Sequence, residues 1–145
     1  MRSLWSRGVS VVGVVASVLA MASAFAPGLR AQEKTAKDGV YTDAQATRGD
    51  GIYQDQCAAC HGADLKGGGA PPLAGADFLA FWGKTPLSDL VDKITGTMPA
   101  TTPGSLSPQQ TADIVSYLLK MGKFPAGTVE LPTDAAVLKT MVMVK

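Results

Sequence analysis

Residues 57–61 read CAACH. The pentapeptide holds both cysteines of the 145-residue chain, Cys57 and Cys60, and its one histidine, His61. A disulfide between Cys57 and Cys60 would close almost no loop, and in the chain-entropy picture stabilisation grows with loop length. That weighs against a structural staple. The purpose of the pentapeptide has to be read together with the segments on either side of it.

Upstream, the chain starts with a basic stretch, Arg2 and Arg7, followed by VSVVGVVASVLAMASAFA at 9–26, which carries no charge. Small residues close this run, and LRA at 29–31 precedes the polar QEKTAKDG. Basic, apolar, then small is the order of a secretory signal. We expect a signal peptide over 1–31, cleaved after Ala31, with a weaker site after AFA at 24–26. The alternative is an uncleaved membrane anchor, since the apolar run is about long enough to span a bilayer. In either case the folded part lies outside the cytoplasm, and a periplasmic location is expected.

The remaining 114 residues make one domain with a modest core. The chain has 13 basic and 12 acidic residues; residues 1–31 hold three of the basic ones and none of the acidic, which leaves a formal charge of −2. Without a basic stripe, nucleic acid is excluded as a natural partner. The expected organisation is a flexible linker at 32–41, a helical domain at 42–122 and a C-terminal extension at 123–145.

Three chemistries fit CAACH. A dithiol redox motif places C-x-x-C at the start of a helix after a buried strand, but DAQATRGDGIYQDQ before Cys57 has no strand character. A structural zinc site needs four ligands, and Cys57, Cys60 and His61 supply three. Covalent haem attachment uses C-x-x-C-H as a whole. Cysteines one helical turn apart can reach the two vinyl groups on one porphyrin edge, and the adjacent His61 can then ligate iron. One such motif implies one haem, and with no second histidine a bis-histidine centre within the chain is excluded.

A sixth ligand would then come from a methionine. Met98 stands in ITGTMPATTPGSLS, a loop rich in Gly, Thr, Pro and Ser. Burial of a helix face does not account for an apolar residue there, so Met98 is the candidate. Met121 reads as packing, and Met141 and Met143 belong to an alternating tail, TMVMVK, that reads as a short strand or docking segment.

The helices follow from their caps. Thr42 is expected to cap a helix through DAQATRGDGIYQDQ, with Asp43 in its first turn. Gly49 and Tyr53 share a face, and a mid-helix glycine, which costs about 1 kcal/mol relative to alanine, suggests a close crossing. Ser107, Pro108 and Gln110 form a capping box before TADIVSYLLKM, with Ile114, Tyr117, Leu118 and Met121 on one apolar face and Gly122 as a left-handed cap. A shorter helix is expected over about 86–95, capped by Thr85, with Pro86 at its first position. No segment of the domain reads as a sheet.

These pieces resemble, in order, a class I mono-haem cytochrome c across about residues 42–122. GDGIYQDQCAACHG resembles the N-terminal helix entering the haem site. APPLAG at 70–75 resembles the loop in which the Pro71 carbonyl accepts a hydrogen bond from the haem histidine, here His61, and Leu73 touches the porphyrin. TMPATTPGSLS resembles the methionine loop, and DIVSYLLKMG the terminal helix. The resemblance implies a small all-α fold of three to five helices around one haem c, held through Cys57 and Cys60, with His61 and Met98 on iron. ADLKGGGAPPLAGADFLAFW, MPATTPGSLS and KFPAGTVELPTDAAVLK are further similar to cytochromes that accompany periplasmic quinoprotein (PQQ) alcohol dehydrogenases.

The function this resemblance implies is one-electron transfer between redox proteins: a dehydrogenase as donor, and an oxidase or another cytochrome of a respiratory chain as acceptor. No substrate bond is broken, so the chain reads as an electron carrier or the cytochrome subunit of a dehydrogenase complex rather than an enzyme. The alternative is a haem-based gas sensor in which the methionine is labile. Trp82 reads equally as a neighbour of the haem or as a core aromatic, and Lys66, Lys84 and Lys93 as a docking rim or a solvated surface. The tail after Gly122 is expected to form another helical turn or two, and MVMVK to pack on the body or to dock a partner.

Overall fold

A computed structural model describes residues 34–144. The expected signal peptide, its cleavage site and Lys145 lie outside the described residues. In chain order the elements are β1 (Lys34–Thr35), a 3-10 turn (Ala36–Asp38), α1 (Asp43–Gln56), α2 (Ala58–His61), α3 (Ala76–Trp82), α4 (Leu87–Thr97), α5 (Pro108–Met121), α6 (Ala135–Leu138) and β2 (Met141–Val142). The fold is therefore mostly helical, as expected, with one two-stranded parallel sheet: β2 falls in the tail that reads as a short strand or docking segment, whereas β1 and the pairing were not expected. Its register pairs Lys34 with Met141 and Thr35 with Val142.

The frame is the crossing of α1 and α5. Thr42 caps α1 by accepting from the Gln45 N–H at 3.1 Å, and Ser107 and Gln110 cap α5 reciprocally at 3.2 and 2.9 Å. The helices meet at Gly49, where an added Cβ would collide with the Asp113 carbonyl. Backbone contact this close admits no side chain. On either side of the contact, the Arg48 guanidinium grips the buried Asp113 carboxylate through two 3.0 Å bonds, and the rings of Tyr53 and Tyr117 pack 5.2 Å apart.

Enclosed between α1 and α4, α5 is buried at every position from Thr111 to Leu119. The expected stripe of Ile114, Tyr117 and Leu118 is buried, but its polar neighbours are buried too. They are satisfied locally: Ser116 donates to the Ala112 carbonyl at 2.8 Å, and Asp113 accepts from Gln109 at 2.8 Å as well as from Arg48. Met121, expected as packing, is 36% exposed, because the helix has left the core by its last turn. The left-handed residue after α5 is Lys123 (φ 66°) rather than Gly122 (φ −72°). Gly122 instead leaves room for the Phe124 ring, which an added Cβ would approach at 3.1 Å.

Thr85 does not cap α4. Its hydroxyl donates back to the Trp82 carbonyl at 2.9 Å, so Pro86 takes the cap position and the helix runs Leu87–Thr97. ADFLAFW at 76–82 is an additional short helix, with Phe78 on its buried side.

Residues 34–41, expected as linker, are packed: Ala36, Val40 and Tyr41 are all buried. What holds them is the C-terminal extension. The Tyr41 hydroxyl donates to the Phe124 carbonyl, and the Gly127 N–H to the Tyr41 carbonyl, each at 2.7 Å. Inside α1, the fully buried Gln45 amide receives the Leu131 N–H at 2.7 Å and donates to the Leu131 carbonyl at 3.0 Å. A buried polar group left unpaired costs about 1–3 kcal/mol, so this reciprocal pair fixes the extension on α1. Leu131, Leu138, Met141 and Met143 complete the core. TMVMVK thus packs on the body.

Gly49→Ala should lower unfolding stability by roughly 3 kcal/mol, at the upper end of overpacking costs, measured by urea titration with far-UV circular dichroism. Burial pushes the Tyr53 phenol up to about 12, and those of Tyr41 and Tyr117 upward as well. A phenol raised in the folded state contributes stability in full below the unfolded value of 10.0, and that contribution is lost as pH rises through the folded value. The melting temperature should therefore drop between pH 10.0 and about 12. Tyr53→Phe should flatten part of that drop, and at neutral pH should cost about 1 kcal/mol for the hydrogen bond lost to Gly62.

Candidate functional site

The C-terminal end of α1 delivers the pentapeptide. Cys57 closes α1 through its N–H to the Tyr53 carbonyl at 2.9 Å and starts α2, accepting from Cys60 and His61 at 3.1 and 3.0 Å. Cys57 is half-buried, Cys60 exposed and His61 9% exposed. The Tyr53 hydroxyl donates to the Gly62 carbonyl at 2.7 Å, which fastens the end of α2 to α1.

The following loop folds back over α2. Gly67 donates to the His61 carbonyl at 2.9 Å, Ala70 to Cys60 at 3.0 Å, and Leu73 to Leu65 at 2.9 Å. Gly67 has φ 89°, and a Cβ there would meet the Ala70 carbonyl at 2.9 Å, so the turn requires glycine. Leu65 takes φ 63° as a non-glycine residue and is fully buried, making it the apolar peg of the loop. No sequence signal marks that role.

This folding brings the Pro71 carbonyl to 2.8 Å from His61 Nδ1. A carbonyl can only accept, so Nδ1 carries a proton, and in the neutral imidazole Nε2 is the nitrogen left with a lone pair. A neutral imidazole held by a backbone carbonyl is the arrangement found in metal-ligating histidines. Cys57, Cys60, His61, Pro71 and Leu73 thus form one hydrogen-bonded unit. Met98 stands outside that unit. It terminates α4, with its N–H on the Ile94 carbonyl at 2.9 Å and its side chain half-buried.

Burial, and secondarily the neighbouring Cys60, pushes the Cys57 thiol up. That is opposite to the lowered thiol of a dithiol redox site. The donor set suits haem instead: two thiols spaced as tethers, an oriented imidazole and a thioether from another helix. Ile52, Leu73, Leu79, Trp82, Val91 and Ile94 pack on the core but remain partly exposed, apolar surface that a flat apolar cofactor would cover. Leu90 and Leu118 are buried in the protein core itself. Trp82 stacks edge-on with Phe81 at 4.9 Å. Lys66 pairs with Asp64 at 2.9 Å on the surface.

The family match agrees with this chemistry. Residues 44–118, more than half of the chain, match the family described as cytochrome c oxidase, cbb3-type, subunit III. Cytochrome c-551 of Bacillus subtilis (strain 168) is 42% identical over 43 residues, which is 30% of this chain and 38% of the relative. The sulfane dehydrogenase SoxCD of Paracoccus pantotrophus aligns with a TM-score of 0.49 at 30% identity, covering 55% of this chain and 44% of that one. The chain thus spans less than half the length of each. The family match covers the CAACH pentapeptide, the Pro71 loop and Met98, and the chain belongs to this cytochrome c family, described as cytochrome c oxidase, cbb3-type, subunit III.

Proposed function

We propose that this chain is a periplasmic electron carrier with one haem c, tethered by Cys57 and Cys60 and ligated by His61 and Met98. The observation that carries this reading is the 2.8 Å bond from His61 Nδ1 to the Pro71 carbonyl, beside the two tethering cysteines. When bound, the haem supplies a one-electron iron couple whose potential depends on axial ligand, burial and hydrogen bonding.

The residues divide the work. Cys57 and Cys60 supply the tethering sulfurs, one turn apart. Pro71 orients the imidazole and holds the proton at Nδ1, so that Nε2 is the ligating atom. Met98 offers a neutral thioether, which favours the reduced state relative to a second histidine. The partly exposed apolar side chains exclude water from the cofactor face, which disfavours the extra charge of the oxidised state.

For export we propose a signal peptide over residues 1–31. Among the described residues no helix is long and apolar enough to cross a membrane. The partners we propose are redox proteins, with a quinoprotein dehydrogenase as donor, on the resemblance of residues 63–82 and 98–107 to the cytochromes that serve such enzymes, and an oxidase or second cytochrome as acceptor.

The test is a set of absorption spectra, oxidised and dithionite-reduced, of protein exported with haem-attachment machinery, with carbon monoxide added to the reduced sample. The wild type should show a low-spin c-type spectrum with a weak sulfur-to-iron band at the red edge of the visible, and should exclude carbon monoxide. Met98→Ala should lose the band and bind carbon monoxide. Prompt binding by the wild type would instead favour a gas-sensing protein with a labile methionine. Absence of covalent haem would defeat both readings.

A further inference from the structure

The family match ends at residue 118, yet the chain beyond it is tied to the helix that ends in Met98. The Val144 N–H donates to the Gly83 carbonyl at 2.8 Å. Val142 forms an antiparallel bridge with Pro86, the N-cap of α4. An added Cβ at Gly83 would meet the Val144 side chain at 2.8 Å, so the two are already in close contact. Both α6 and β2 pack on α4, whose buried residues, Leu87, Ser88 and Leu90, lie in its first half. β2 is held in turn by β1.

The second half of α4 carries the surface assigned above to the cofactor, with Val91, Ile94 and Met98 only partly buried by protein. It also packs on α5, where the Thr95 and Thr111 hydroxyls lie 3.3 Å apart. The extension thus grips α4 at its N-terminal end, while the ligand candidate sits at the other. At 1.5 Å per residue the helix is about 16 Å long. A tilt of about 2° at the clamped end moves Met98 by about 0.5 Å, roughly the tolerance of a functional site.

We propose that α6 and β2 act as a brace that positions Met98, with Val144 as its principal contact. The proposal rests on the His61/Met98 reading above. The brace holds the turn between α3 and α4, so that the thioether is delivered to one place. Met98 is the ligand; Val142 and Val144 act through α4 and are positioning residues.

The test compares three holoproteins with the wild type: one lacking residues 140–145, Val144→Pro, which deletes the single N–H on Gly83, and Leu131→Ala. Leu131 lies in the same extension and is more deeply buried than Val144, but it hydrogen-bonds to α1. On warming, the truncated protein and Val144→Pro should lose the sulfur-to-iron band well before the far-UV helix signal. Because carbon monoxide binds only the methionine-free population, its apparent affinity should rise about tenfold in both. Leu131→Ala should lose band and helix together, at a lower temperature than wild type. If the truncation does not fold, Val144→Pro decides alone. A brace variant with wild-type carbon monoxide affinity whose band and helix melt in step overturns the brace and leaves the haem reading intact. All three variants shifting alike does the same. A wild type without the band overturns both.

Discussion

The contact between Gly49 and the Asp113 carbonyl sets the geometry from which the rest follows. With no side chain between them, α1 and α5 approach to backbone contact. That closeness lets Arg48 reach the buried Asp113 and stacks Tyr53 on Tyr117. Tyr53 then fastens the residue after His61. One missing side chain thus determines where α1 ends, and so where the pentapeptide is presented. A larger residue at 49 would not simply loosen a helix pair. It would displace the platform on which the two cysteines and the histidine stand.

Local signals in the sequence were reliable where the structure satisfies them locally. Thr42 and the Ser107–Gln110 pair cap their helices because each bond spans three residues and needs nothing else. Thr85 looked like a cap by the same rule, but the turn at Gly83–Lys84 brings the Trp82 carbonyl within its reach. Met121 was placed inside by helical period alone. Period gives the face of a helix and says nothing of where the core stops along it. β2 falls in the tail read as a short strand, but its pairing with β1 was not legible, since each strand is two residues long and its partner lies more than a hundred positions away.

The site divides along the same line. Cys57, Cys60 and His61 declare themselves by spacing. Pro71 came into view through family resemblance, and the structure supplies its physical reason, a carbonyl aimed at Nδ1. Leu65, which pegs the loop that makes this possible, has no signature, because a leucine at positive φ contradicts ordinary preference and survives only through complete burial. The packed linker was hidden for a different reason. Its contacts are with the extension, and the linker itself is not apolar enough to suggest burial.

Gln45 carries a consequence for anyone who would shorten this protein. Its amide stands in for a missing strand, offering one donor and one acceptor to the backbone of Leu131 from the middle of a helix. Trimming the chain to the segment shared with its relatives, residues 44–118, would remove Leu131 and leave that amide without its partner. A domain cut to those bounds would therefore lose the one reciprocal pair that ties the interior of α1 to the extension. The size of the smallest autonomous unit is set by the reach of one side chain rather than by the family's boundaries.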